Sequence, residues 1–116
     1  MKISIRTQGF EQTAAIRAHI ESQLKMNMAN FSESILSINV SLSDINGPKG
    51  GPDKRALICV RLVSRLSVTS ECTRTDLYAA VTQSARQAKR SVKRTLNKHR
   101  RMEKYSLRDM DLSLID

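Results

Sequence analysis

The residues best suited to chemistry in this chain are nine Lys and Arg side chains near the C-terminus. They are Arg86, Lys89, Arg90, Lys93, Arg94, Lys98, Arg100, Arg101 and Lys104, and a single acid, Glu103, stands among them. On a helix they share one arc, where like charges three or four positions apart repel by a few tenths of a kcal/mol per pair. A merely solvated face ordinarily mixes Glu with Lys. The run therefore favours contact with a polyanion, since Lys and Arg neutralise phosphates and Arg binds them through two N–H groups.

A second group of cations, Lys49, Lys54 and Arg55, lies in or beside the Gly- and Pro-rich segment DINGPKGGPDK at positions 44–54. Such a segment predicts a long hairpin loop. These cations are candidates for a second phosphate contact, and solubilising charges on a hairpin tip explain them equally well. The GPKG within the segment matches the GXXG of KH domains, but that motif joins two helices, whereas this loop joins two strands. A Walker phosphate loop is also excluded, because it requires Gly-Lys-Ser/Thr.

Neither a catalytic nor a metal site is predicted. His19 lies beside an apolar helical stripe and His99 lies on one, positions where packing is the usual role. The acidic residues are scattered, so no nucleophile and base, and no carboxylate pair, are grouped by spacing. Cys59 and Cys72 lack CxxC spacing and nearby His ligands, which argues against zinc. We therefore expect no enzymatic activity, no cofactor and no small-molecule substrate.

The net charge of +9 and the isoelectric point near 10.2 favour nucleic acid or anionic lipid as a partner. The charge is +3 up to Cys72 and +6 from Thr73 onward, so the C-terminal part is the favoured contact region. A membrane-surface helix would carry large apolar residues, whereas this one carries mostly Ala and Val. The start, MKISIRTQ, lacks the apolar run of a signal peptide, and no stretch approaches the roughly 20 apolar residues of a membrane span. We expect a cytoplasmic protein without membrane contact.

Two periodicities predict the elements that must position these residues. Residues 2–7 alternate around Ile3 and Ile5 as a strand. Thr13 is a candidate cap for a helix whose apolar stripe is Ile16, Ile20, Leu24, Met28 and Phe31. Three further alternating sets predict strands: Leu36, Ile38, Val40 and Leu42; Ala56, Ile58, Val60 and Leu62; and Leu66, Val68, Ser70 and Cys72.

A three-residue turn at 63–65 would place the last two strand sets on one face of an antiparallel pair, with Cys59 and Cys72 on opposite faces. From Asp76 the period becomes helical, with a stripe of Leu77, Val81, Ala85, Ala88, Val92, Leu96 and His99. The predicted fold is α+β, ordered βαβββα, with two helices packed on one face of a four-stranded sheet, similar to double-stranded RNA-binding domains. We expect one domain at 1–105 and an acidic, mobile tail at 106–116.

The assembled pattern resembles the family of hibernation-promoting factors and ribosome-associated inhibitors. The resemblance runs from Met1 to about Arg101, and its most specific part is DLYAAV at 76–81. KISI at the start, FEQTAAIRAHIESQL in the first helix and NFSESILSINVSLS leading into the second strand also match. The loop at 44–54 is longer than in the best-known members, and we expect the short form, without the C-terminal dimerisation domain of the long forms.

This resemblance implies a domain that binds the rRNA of the small ribosomal subunit in the channel of mRNA and tRNA, and silences idle ribosomes under stress. The family's basic helix corresponds to Arg86, Lys89, Arg90, Lys93 and Arg94, with Lys98, Arg100 and Arg101 near its end. We expect a monomer away from the ribosome. Two alternatives remain open: a general binder of double-stranded RNA, and a structural ribosomal protein. Whether the chain pairs ribosomes or keeps them single also remains open.

Overall fold

The computed structural model describes residues 1–45 and 53–115, with side chains described up to Arg101. The elements are β1 (Lys2–Gln8), α1 (Ala14–Met28), a 3₁₀ helix (Ala29–Ser34), β2 (Ile35–Asp44), β3 (Lys54–Leu62), β4 (Ser67–Arg74) and α2 (Leu77–Ile115). The strands form one sheet in the order β1-β2-β3-β4. β1 and β2 are parallel, and the other neighbours are antiparallel. The predicted βαβββα order and α+β class are confirmed.

Helix α1 connects the two parallel strands, which cannot be joined by a tight turn. Thr13 caps it, since the Thr13 Oγ1 accepts a hydrogen bond of 3.2 Å from the Ile16 N–H. The predicted stripe faces inward, because Ile16, Ile20, Leu24 and Met28 are all buried. Phe31 follows in the 3₁₀ helix and packs half-buried against the core.

Helix α2 begins at an aspartate cap: Asp76 accepts hydrogen bonds from the Tyr78 N–H at its carboxylate and from the Ala80 N–H at its carbonyl. Inside the domain, the hydroxyl of Ser70 in β4 donates to the Ser84 carbonyl at 2.8 Å. The Ser84 hydroxyl lies 3.4 Å from the Ala56 carbonyl of β3. These buried polar contacts fix the position of α2 over the two strands.

The core lies between the helices and one face of the sheet. Its buried strand residues are Ile35, Ile38, Val40 and Leu42 of β2, Ala56, Ile58, Val60 and Leu62 of β3, and Val68 of β4. From α2 come Ala80, Val81, Ala85, Ala88 and Val92. Small alanines on the buried side let α2 lie close to the sheet. Leu77, Leu96 and His99 of the predicted stripe are only half-buried.

The start of β2 differs from the prediction. Ile35 is 3% exposed and Leu36 is 57% exposed, so the inward residue is Ile35 and not Leu36. The pairing with β3 is irregular between Ile35 and Ser37. A bulge adds one residue to one strand and so exchanges the two faces. The alternation that identified Leu36 as a core residue therefore fails beyond the bulge.

The two hairpins also refine the prediction. Leu62 N–H donates to the Leu66 carbonyl at 2.8 Å, which confirms the three-residue turn at 63–65, although Leu66 itself is 42% exposed. In the other hairpin Asp44 pairs with Lys54, so both belong to strands and not to a loop. Lys49 and the GPKG segment lie outside the described residues.

The register puts the two cysteines on opposite faces of the sheet. Cys72 is 5% exposed on the face that the helices cover. Cys59 pairs with Thr69 and lies half-buried on the other face. This confirms the predicted parity, and both thiols are free.

Helix α2 continues to Ile115 and so includes most of residues 106–116, which the sequence predicts as a tail after the helix. The division at residue 105 and the mobility of residues 106–116 stay predictions. Within the described part of the chain, no helix is long and apolar enough to cross a membrane.

Candidate nucleic-acid interface

The predicted cations of α2 form one exposed surface. Eight of them have described side chains, and all eight are exposed: Arg86, Lys89, Arg90, Lys93, Arg94, Lys98, Arg100 and Arg101. They lie on the side of α2 opposite the buried Val81, Ala85, Ala88 and Val92. We call these eight residues the basic ridge. Because the apolar side of α2 packs on the sheet, the ridge faces away from the body of the domain.

The electrostatics of the ridge follow from its sequence. Residues 77–101 contain no Asp or Glu, so no cation from Arg86 to Lys98 has an acidic residue three or four positions away on the helix. Intrahelical ion pairs, the usual way in which a helix balances its charges, are therefore excluded for these cations. Their positive charges add, and a field of this kind attracts a polyanion.

A groove runs between the ridge and the end of α1. It is lined by Asn27 of α1 and by Gln83, Arg86, Lys89, Arg90 and Lys93 of α2, and has a volume of about 530 Å³. Asn27 is itself 8% exposed, and its Nδ2 donates to the Gln23 carbonyl at 2.7 Å. Guanidinium, ammonium and amide groups along one groove match the oxygens of a phosphodiester backbone.

A second groove lies on the other flank of the ridge, toward the edge strand β4. It is lined by Thr69, Ser70 and Glu71 of β4 and by Gln87, Arg90, Ser91 and Arg94 of α2. Arg90 lines both grooves and so occupies the crest between them. The acid in this groove, Glu71, is already engaged: Arg55 Nη2 donates to its Oε2 at 2.9 Å, and Arg55 Nε lies 2.8 Å from its Oε1.

The cations predicted near the hairpin are placed differently. Lys54 Nζ lies 2.8 Å from Asp44 Oδ2 and 3.6 Å from Asp53 Oδ2. The hydrogen bond to Asp44 raises the pKa of Lys54. Arg55 is paired with Glu71, as described above. Both cations are thus held by carboxylates of the sheet and stand apart from the ridge, so their role in RNA binding stays a prediction.

His19 takes part in packing between the two helices. His19 Nε2 lies 3.0 Å from Thr82 Oγ1 and 3.2 Å from the Tyr78 carbonyl, and its ring meets the Tyr78 ring edge to face at 5.0 Å. These contacts join α1 to the start of α2. Among the residues with described side chains, no group of three or more His, Cys, Asp or Glu is placed to hold a metal ion.

Sequence reasoning identified the ridge but not the polar residues that turn it into grooves. Asn27 is on another element, and only packing brings it to the ridge. Gln83 and Gln87 do carry a signal, because they lie four residues apart among the positions of the basic arc, and one lines each groove. Neutral donors beside cations are typical of phosphate contacts.

A four-stranded α+β domain whose last helix carries eight cations and no acid over residues 77–101 has the fold and surface charge typical of nucleic-acid-binding proteins. The chain belongs to the family described as Sigma 54 modulation protein / S30EA ribosomal protein, which matches residues 3–100. This is a family of ribosome-associated factors, and the resemblance found in the sequence is confirmed.

Two solved structures are similar to the chain. The N-terminal domain of Protein Y from Thermus thermophilus is 30% identical, with a TM-score of 0.68, over 82% of this chain and 99% of that one. A ribosomal subunit interface protein from Coxiella burnetii is 20% identical, with a TM-score of 0.72, over 84% of this chain and 99% of that one. The second supports the fold alone. Comparison with curated protein sequences gives no significant match.

Proposed function

We propose that the chain is a ribosome hibernation factor: it binds the small ribosomal subunit through rRNA, in the channel of mRNA and tRNA, and so inhibits translation under stress or in stationary phase. The observation that carries this proposal is the basic ridge without an acidic residue from Arg86 to Arg101. It is displayed on the fold of a ribosome-associated family. A similar fold belongs to a protein named for the ribosomal subunit interface.

The ridge supports rRNA as the ligand because Lys and Arg side chains recognise the charge and shape of the RNA backbone and not its base sequence. Lys and Arg neutralise phosphates whatever the bases are. The exposed aromatic side chains that stack on unpaired bases are missing from the ridge, whose residues are all Lys or Arg. Binding of this kind becomes selective only when folded RNA presents phosphates on several sides, as an rRNA channel does.

The same charge supports a monomer away from the ribosome and a site of action in the cytoplasm, where ribosomes are. A net charge of +9 on 116 residues makes two copies repel each other. Occupation of the channel by a bound domain would exclude mRNA and tRNA sterically, so no catalytic step is needed for inhibition.

Sucrose-gradient sedimentation of lysates from growing and starved cells tests the proposal. We expect the chain to sediment with small subunits or whole ribosomes after starvation and to be scarce on ribosomes during growth. A constant, stoichiometric association in growing cells would instead identify a structural ribosomal protein. Equal binding of purified chain to simple RNA duplexes and to ribosomes would identify a general binder of double-stranded RNA.

A further inference from the structure

The sheet face opposite the helices is polar and basic. Its outward positions follow from the register and the burial pattern. They include the small polar residues Ser4, Ser37, Asn39, Ser41, Ser43, Ser67, Thr69 and Thr73, and the cations Lys2, Arg6, Arg55 and Arg61. Glu71 is the acid among the outward positions of the four strands, and Leu57 and Cys59 are half-buried there. Both helices pack on the other side, so we call this surface the open face.

The charges of the open face are not balanced. Arg55 is matched by Glu71 at 2.8 to 2.9 Å. Lys2, Arg6 and Arg61 are exposed, and no acid occupies an outward strand position beside them. Three cations of one sign on a sheet do not help it fold, because cross-strand pairs stabilise when they are opposite in charge. The excess therefore indicates an anionic partner.

The cations surround a floor of small side chains. Lys2 pairs with Ser37, which pairs in turn with Arg61, so the two cations lie two strands or about 9 to 10 Å apart. Arg6 lies four residues along β1, about 13 Å from Lys2, and pairs with Ser41. A shallow pocket of about 400 Å³ beside it is lined by Ser4, Arg6, Asn39 and Ser41, with Ile5 and Val40. Small side chains let a phosphate backbone come close to the strands.

The chemistry of the open face fits RNA backbone better than protein. The core of a stable protein interface is apolar and rich in aromatics, whereas these outward positions offer hydroxyl, amide and guanidinium groups. No outward position of the four strands is aromatic, so bases have no stacking platform of the kind that RRM sheets provide. What remains is recognition of phosphate and 2′-hydroxyl groups, which is independent of base sequence.

We propose that the open face is a second rRNA-backbone contact, centred on Arg6 and Arg61, so that the domain is held between two rRNA segments. The basic ridge faces one segment and the open face the other, because α2 packs with its apolar side on the opposite surface of the sheet. This inference rests on the proposed function. It adds a contact that the cations of α2 do not provide.

The first experiment compares R6E/R61E with the control R17E/R74E, which makes the same change in net charge at exposed positions outside the open face and the ridge. The affinity of each variant for purified small subunits is measured at a series of salt concentrations. We expect R6E/R61E to lose at least about tenfold in affinity for small subunits. The slope of log K against log salt should become shallower by about 1.4 to 1.8, since each lost phosphate contact removes about 0.7 to 0.9. Thermal unfolding checks that each variant is folded.

Cross-linking identifies the class of partner. A photoactivatable group on the single reactive thiol of S41C/C59S, with Cys72 buried on the opposite face, should cross-link to rRNA on the small subunit. Cross-linking to a ribosomal protein, or none at all, would overturn the proposal. So would a loss of affinity in R6E/R61E no larger than that of R17E/R74E. If the wild-type chain does not bind small subunits, the proposed function fails. If it binds and R6E/R61E binds equally, only this inference fails.

Discussion

At the scale of single residues, the turn between β3 and β4 contains an unfavourable backbone conformation. Arg65 has a φ of 74°, in the left-handed region that costs a non-glycine residue about 1 to 2 kcal/mol. Arg65→Gly should therefore stabilise the domain by about 0.5 to 1 kcal/mol, after the larger entropy of the unfolded glycine chain is subtracted. Urea unfolding measures this difference. Arg65→Ala is the matched control, since it removes the side chain without relieving φ, and a gain as large as that of the glycine variant would contradict the explanation.

The two thiols give a second prediction at this scale. Cys59 is half-buried on the open face and Cys72 is 5% exposed under the helices. A thiol reagent should therefore modify Cys59 in the folded protein and Cys72 only after unfolding. Mass spectrometry of chymotryptic peptides assigns each modification. Cys59→Ser should abolish the modification of the folded protein. Equal reactivity of both thiols in the folded state would show that the register between β3 and β4 is wrong.

At the scale of elements, α2 separates folding from binding because its two sides have different roles. R86E/R90E/K93E changes only exposed positions. It should leave stability nearly unchanged, since surface substitutions cost within about half a kcal/mol and the new carboxylate at position 90 would stand four residues before Arg94, a favourable spacing. Ribosome binding should be severely weakened at physiological salt, because three attractive phosphate contacts become repulsive.

The control acts on the buried side of the same helix. Val92 is 0% exposed, so V92A should cost on the order of 2 kcal/mol by lost burial and the cavity left behind. V92A is a better folding control than substitution of Leu77 or Leu96, because those two side chains are only half-buried. Any loss of binding in V92A should disappear at a temperature where the variant is folded. Thermal unfolding and ribosome pelleting are measured for both variants, and a folded triple variant that pellets fully would exclude α2 as the docking surface.

The end of α2 supports a further prediction. The described core contacts of this helix run from Leu77 to Leu96, so deletion of residues 106–116 should leave the unfolding temperature unchanged. Calorimetry of the full chain and the deletion variant compares them directly. Deletion of residues 97–116 serves as the contrasting variant, since it also removes the half-buried His99. A clear drop for the shorter deletion would contradict the division of the chain near residue 105.

Some features of these elements could be predicted from the local sequence, and others depend on contacts between elements. Period-two and helical stripes predicted the four strands and the two α-helices of the described residues, though not the 3₁₀ helix, because one-sided burial leaves a strong local pattern. Leu36 was assigned to the wrong face because the bulge beside it depends on the partner strand. The ridge was predictable from charge alone. The groove at Asn27 was not, because its lining comes from α1 and α2, which only packing brings together.

At the scale of the whole molecule, the arrangement of charge makes binding depend on ionic strength. The groove beside α1 presents Arg86, Lys89, Arg90 and Lys93 to one side, and Lys2, Arg6 and Arg61 lie on the opposite surface of the sheet. Each cation that neutralises a phosphate releases counterions, and this release contributes about 0.7 to 0.9 to the slope of log K against log salt. Seven contacts would therefore give a slope of about −5 to −6.

We expect affinity for small subunits to fall by about a thousandfold between 50 and 200 mM monovalent salt. Sedimentation or fluorescence titration at fixed Mg²⁺ measures this dependence. R86E/R90E/K93E and R6E/R61E should each flatten the slope, in proportion to the number of contacts removed, while R17E/R74E keeps the wild-type slope. An association that is insensitive to salt would exclude phosphate neutralisation as the basis of binding. Because the two surfaces face opposite ways, losses from the two multiple variants should add in free energy when the domain contacts rRNA on both sides.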